Sequence, residues 1–526
     1  MITVEEQRLR EQLAIDEITF AIPAQSFAIA CAISAEEALP VVTEFALRIA
    51  FVCGNLSPIQ IQEFFGFSKK ETDAVIKALL GERLIQWSED QLELTPYALA
   101  RFQDSSDNLP RFFKIQDWSA EVVFDLISFN PANRPDRIKR VRSQVELATR
   151  NFDKQSRTIQ YAEQAFQQHL SQICKKEKAE IYKISAVDAG ERFSIPLPCV
   201  FHLDLEGQVS VRRNIDDESF GSRLEISEAI TDALANQDRG NNESLRDFIR
   251  LFDDTLLGRY VSNDAFDLRR YVQEVHLTGV ANYEDARVFP MLGALHLPRN
   301  ADLVLGRVAT ELAQLDLSTS AKEDIDQETG APSTAAPEAA GTGVSQYRQG
   351  LWWAPQLSLW ARARGARDLV QKLDRVLSSA PGCGAPPHSG IRVVVPADRR
   401  STRERLSVYW DLFPRLFGAD VSLMNGNLEL LLVPDLLVCA LFHFHLAHQP
   451  VAVPIGFMSS QPDHLQAAGA LVSNRVRGKP ELLSASRDDG GGEAVQELTL
   501  LLDGLGTRGL TPTPSGRARL TLRKPV

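Results

Sequence analysis

The chain has 526 residues, of which 44% are hydrophobic and 24% charged, and a formal net charge of -12 at neutral pH. This is the composition of a globular chain too long for one ordinary core, and about three domains is the natural expectation. The acidic balance excludes a protein that coats nucleic acid with its whole surface, and it leaves room for local basic patches. No apolar run reaches the roughly 18 residues of a membrane helix. No basic leader with an apolar core follows Met1, and the six cysteines are scattered without a CxxC pair. A cytoplasmic chain with reduced thiols, no membrane association, no metal and no cofactor is therefore expected.

Residues before about Leu39 read as a short lead-in with one apolar stretch, Phe20 to Ile33. Pro40 to Val52 reads as a helix. Ser57-Pro58 then starts another, since Ser caps free amides and Pro at the first helical position sacrifices no needed donor. Gly66 ends it. Ser68-Lys69-Lys70-Glu71 spells a capping box that launches a helix to about Leu80. Leu84 to Trp87, a polar turn at Ser88-Glu89-Asp90 and Leu92 to Leu94 follow as a hairpin. This order resembles a winged helix-turn-helix. In that resemblance the second helix would offer Lys69, Lys70, Thr72 and Lys77 to duplex DNA. Ala74, Val75, Ala78 and Leu79 would face inward, and the wing near Ser88 to Gln91 would touch the adjacent backbone. The helix carries no Arg, Asn or Gln for bidentate base reading, so the contact implied is non-specific.

The expected organisation is multidomain, α+β and α/β. It comprises an N-terminal winged-helix domain (1–105), a basic helical connector (106–180), a mixed α/β domain (181–317), a flexible linker (318–346), a C-terminal α/β domain (347–475) and a loosely structured tail (476–526). Arg137 and Arg140 of the connector extend the candidate phosphate-binding surface. The linker assignment rests on a run of Ala, Thr, Ser, Gly, Pro and Glu that lacks the apolar surface to offset its ordering entropy. In the C-terminal domain, strands are expected at Ile391 to Val395, Asp420 to Met424, Leu428 to Val433, Leu436 to Leu446 and Val451 to Gly456. Ser401 and Glu404 suggest a capped helix beside Arg399, Arg400 and Arg403, a candidate anion site.

His443-Phe444-His445-Leu446-Ala447-His448 is the one histidine cluster. His443 and His445 would share a strand face, and the nearest acid upstream is Asp435. With Gly456 and Ser459-Ser460 further on, the segment resembles one half of a phospholipase D-type nuclease domain. His443 stands where that family has its nucleophile, but His445 replaces the family's Lys and Pro450 its Asp. The resemblance implies a phosphodiesterase with a degenerate site.

Taken together, these residues point to a non-enzymatic, DNA-associated component of a prokaryotic multi-protein assembly, such as a defence or DNA-processing system. The alternatives are a phosphodiesterase or nuclease acting after the linker through His443, His445 and the Arg399 to Arg405 cluster, and a scaffold that docks other protein subunits on the winged helix.

Overall fold

The computed structural model describes residues 13–507 except 38, 104–109, 111, 136–140, 177–178, 205–209, 216, 236–239, 253–254, 263–264, 279–286, 329–348, 379–389, 399, 478, 480–482 and 486–490. The chain is mixed α and β, and it divides into two compact units. One comprises 23–138 and 149–193, the other 1–22, 139–148 and 194–526. No helix among the described residues is long and apolar enough to cross a membrane.

The apolar lead-in is a strand, β1 (Leu13–Glu37). In the first unit Phe27, Ile29, Cys31 and Ile33 are buried on alternate positions, the period-2 pattern of a strand with one face in a core. Helices α1 (Val41–Cys53), α2 (Pro58–Phe65) and α3 (Lys69–Gly81) come next, then the antiparallel pair β2 (Ile85–Ser88) and β3 (Gln91–Leu94). Asn55–Leu56 adds a short third strand against β3. Ser57 caps α2 by accepting from Gln60 N at 3.3 Å, and the Ser57 N–H donates to Gln60 Oε1 at 2.8 Å. At α3 the Ser68 N–H donates to Glu71 Oε2 at 2.8 Å. Ala46, Leu47, Ile61, Ile76, Leu79 and Leu92 meet in one small core.

The stretch expected to be a helical connector instead carries strand β4 (Phe112–Asp125), antiparallel to Ala24–Glu37 of β1. Among the described residues of this stretch, helices are confined to Phe152–Ser156, Thr158–Gln168 and Leu170–Ile173. Their inner residues Ala162, Ala165 and Phe166 cover the β1 residues Phe27 and Ile29. β4 escapes a local reading because its partner lies far earlier in the chain. Strand β5 (Glu180–Asp204) passes from this unit into the next, where it pairs with β6 (Ser210–Asn214).

An eight-stranded sheet organises the second unit. Its strands are β7 (Val288–Leu292), β8 (Gln349–Trp353), β9 (Gly390–Pro396), β10 (Leu416–Ala419), β11 (Leu428–Val433), β12 (Leu437–Phe444), β13 (Val453–Ser459) and β14 (Leu483–Ala485). They lie in the order β7-β13-β12-β11-β8-β9-β10-β14. Only the pairs β8–β9 and β9–β10 are parallel. Helices α4 (Pro298–Glu328) and α5 (Arg364–Ser378) cover one face with Val304, Val308, Leu369 and Leu373 against Leu431, Cys439 and Leu441. On the other face Phe248 packs at a tilt against Phe442 and Phe457, and Phe252 meets Phe457 edge-on. With both faces covered, β11 to β13 are apolar apart from Glu429, His443 and Ser459, as such strands tend to be.

Four further expectations change. β7 belongs to the same sheet as β8, so the segment 318–346 does not separate two cores. α4 extends into it as far as Glu328, and 329–348 lie outside the described residues. In place of a strand at 420–424, β10 ends at Ala419 and a 3-10 turn occupies Met424–Gly426. Helix α6 (Thr402–Ser407) has no capping box; the Thr402 hydroxyl donates to Asp398 O at 2.7 Å instead. The tail is ordered in part: β14 pairs with β10, and α8 (Gly491–Thr507) packs on α7 (Pro462–Val476) with Leu498 and Leu502 buried.

Candidate functional site

A cavity of about 750 Å³ opens in the second unit, with Asp16, Arg213, Gln356, His443 and His445 in its wall. Its polar core comes from the register of three neighbouring strands. Glu429 on β11 stands opposite Leu441 of β12, so His443, two residues on, emerges on the same face. His443 Nε2 lies 2.8 Å from Glu429 Oε2. The Trp352 indole on β8 donates to Glu429 Oε1 at 2.9 Å. Glu429 is 1% exposed and His443 4%. A carboxylate so buried is tolerable only with both oxygens engaged, as they are here.

Asp16 of β1 and His296, on the approach to α4, complete the cluster. Burial raises the Asp16 carboxyl to about 8, helped by the nearby Glu429 charge and opposed by the hydrogen bond from Glu17 N at 2.8 Å. Burial also lowers His296, against the pull of Glu429. His296 Nε2 sits 3.5 Å from Asp16 Oδ1 and has no hydrogen-bond partner. At neutral pH this second pair is a carboxylic acid beside an uncharged imidazole.

His445 lies just past the end of β12. Its backbone N–H donates to Asn242 Oδ1 and its carbonyl accepts from Asn242 Nδ2, both at 2.8 Å. Its ring Nε2 lies 3.1 Å from Asn427 Oδ1. Burial, then the His443 charge, lowers His445 to about 4. Gly240 permits this seat, because a Cβ there would stand 2.1 Å from His445 Nε2. A histidine oriented by a carboxylate beside a protonated acid is an arrangement that accepts and delivers protons.

The structure thus brings His443 and His445 to one cavity and supplies an acid that the local sequence lacks. The partner is Glu429, not Asp435. A lone acid inside the apolar run Leu428 to Val433 was the available signal for Glu429. Asp16 and His296 carried none. Among the described residues no group of three or more His, Cys, Asp or Glu side chains is arranged to hold a metal ion.

On α3, Lys69, Lys70 and Lys77 are exposed, whereas Thr72 is 2% exposed and its hydroxyl donates to Ser68 O at 3.1 Å. Thr72 therefore cannot touch DNA. The inward stripe is Thr72, Ile76 and Leu79, while Ala74 and Ala78 are exposed, so the helix is rotated from the face expected. Arg137, Arg140 and Arg399 lie outside the described residues. Of the other connector cations, Arg134 pairs with Glu121 and Glu191, and Lys154 donates to Ile127 O. These are internal uses that subtract from a phosphate-binding face. Arg400 and Arg403 are exposed on either side of Ser401. Compared with protein-family models, curated proteins and solved structures, the chain matches none.

Proposed function

We propose that the protein is a DNA-associated component of a larger prokaryotic assembly, held to duplex DNA through a winged-helix module whose second helix is α3. What carries this reading is the exposed face of α3, where Lys70 and Lys77 lie on one side with Lys69 at the helix start. Lysines there suit phosphates, and Asp73 among them weakens any base-specific role. The contact is therefore electrostatic and independent of sequence. Ile59, Phe64, Trp87 and Tyr97, each more than half exposed on the same module, support a protein partner beside the DNA. Full-length protein should bind duplex DNA with an affinity that falls steeply with salt. Binding that survives Lys69→Glu plus Lys70→Glu would refute the assignment of α3.

A second reading, a phosphodiesterase, is favoured by one observation: His443 has a buried carboxylate partner in Glu429. In this reading a ring nitrogen of His443 attacks phosphorus as the P–O bond to the leaving alcohol breaks, protonated Asp16 gives that alkoxide its proton, and water then hydrolyses the phosphohistidine. Hydrolysis of bis(p-nitrophenyl) phosphate that is lost in His443→Ala would establish it, and no release of nitrophenolate would dismiss it.

A further inference from the structure

We infer that the cavity of the second unit binds a small organic anion, with Arg213 holding its charged head and the apolar wall its body. The phosphodiesterase reading places its chemistry in the same cavity, but binding of this kind does not require hydrolysis.

Arg213 faces the cavity by strand register. It stands directly opposite Phe201 in the antiparallel pair of β5 and β6, so the two side chains leave the same face of the sheet. Val211, two residues back, shares that face. All three residues line the cavity. Arg213 Nη1 donates to the Thr231 hydroxyl at 2.8 Å, and Thr231 is fixed in turn by donating to Ser227 O at 2.8 Å. No other hydrogen bond or ion pair engages Arg213 among the described residues. One nitrogen therefore orients the guanidinium, and its other N–H groups remain to donate.

Charge selects the ligand's sign. Among the described residues Arg213 is the one Lys or Arg in the wall, and Asp16 the one acid. Burial raises the Asp16 carboxyl to about 8, so it adds little negative charge at neutral pH. His445, depressed to about 4, is uncharged. Glu429 lies behind His443 and outside the wall, its oxygens engaged by His443 and Trp352. A guanidinium without a counter-ion thus remains in a concave site, within a chain of net charge -12.

Much of the remaining wall is apolar, with Leu234, Leu359, Trp360 and Val451 buried behind it. A volume of about 750 Å³ suits a ligand of ordinary small-molecule size. The wall is also built in advance. Gln449 Oε1 accepts the Val211 N–H at 3.3 Å, Asn427 Nδ2 donates to Asn241 O, and Asn242 clasps the His445 backbone. Binding therefore has little of the wall to order.

Isothermal titration of full-length protein with naphthyl phosphate, naphthoate and uncharged naphthol tests the site. At least one of the two anions should bind saturably, one per chain, and about tenfold or more tighter than naphthol. Arg213→Gln should erase that preference. Neither anion binding, or a preference that survives Arg213→Gln, overturns the inference. Should Arg213→Gln fold poorly, Ala235→Trp adds bulk at the exposed rim and should weaken every probe that binds wild type; unchanged binding there also overturns it. Binding of the phosphate alone would assign phosphorylated ligands, binding of the carboxylate alone would assign carboxylates, and binding of both would assign organic anions by charge. Each upholds the site. Anion binding without release of nitrophenolate from bis(p-nitrophenyl) phosphate upholds it too, and dismisses only the phosphodiesterase reading.

Discussion

Glu429 and His443 face each other at 2.8 Å across adjacent strands of the eight-stranded sheet, both almost wholly shielded from water. The Trp352 indole closes the remaining carboxylate oxygen. Removing the acid leaves an imidazole and an indole N–H buried without an acceptor. Glu429→Ala should therefore lower unfolding stability by about 3–5 kcal/mol. Glu429→Gln, which keeps the shape and one acceptor, should cost less. Urea denaturation of the two variants checks the ordering, and equal costs would mean that the pair contributes packing alone.

Asp16 gives a pH signature. Its folded value of about 8 lies above the 3.8 of a free aspartate, so the folded state holds a proton that the unfolded chain has lost. Stability should fall as pH rises through that interval and level off above 8. His445, depressed to about 4 from 6.5, acts oppositely: stability rises with pH between those values, and His296 adds the same sign. The opposing slopes overlap below pH 6.5, so the Asp16 effect stands clear between 6.5 and 8. There it amounts to roughly 1 kcal/mol per pH unit. Asp16→Asn should abolish that decline in denaturation midpoints; an unchanged slope would show that Asp16 is ionised.

On α3, Lys70→Ala and Lys77→Ala should each weaken duplex binding and reduce the salt slope by about one. Thr72→Val should leave binding within about twofold, since its hydroxyl bonds only to Ser68 O in the helix interior. Filter binding at several salt concentrations separates the two classes of variant.

The ordered tail can be tested through Arg392, whose side chain is 2% exposed and reaches Glu497 on α8 at 3.2 Å. Leu498→Ala should cost about 2–5 kcal/mol if α8 is part of the core. Glu497→Ala should also destabilise, by removing the carboxylate to which the buried Arg392 Nη2 donates. Thermal melts unaffected by both changes would show α8 to be detached.

What could be read from residue order was whatever is decided within a turn or two of chain. The caps at Ser57 and Ser68 are hydrogen bonds spanning three residues, and they start α2 and α3 where the sequence says they should. The apolar runs of β11 to β13 announce burial by composition alone. The phase of α3 was misjudged because Thr72 looks polar yet hides its hydroxyl on the backbone. Strand pairings across long separations were invisible: β4 with β1, and β7 with β13. The buried cluster beside the cavity depends on such closures, since Asp16 and His296 are brought from far along the chain to Glu429 and His443, which sit on successive paired strands. Local hydrogen bonding and hydrophobicity are written in neighbouring residues. Sheet order and the company a buried charge keeps are settled only when the chain closes on itself, and there the tertiary structure alone decided that His443 has an acid beside it.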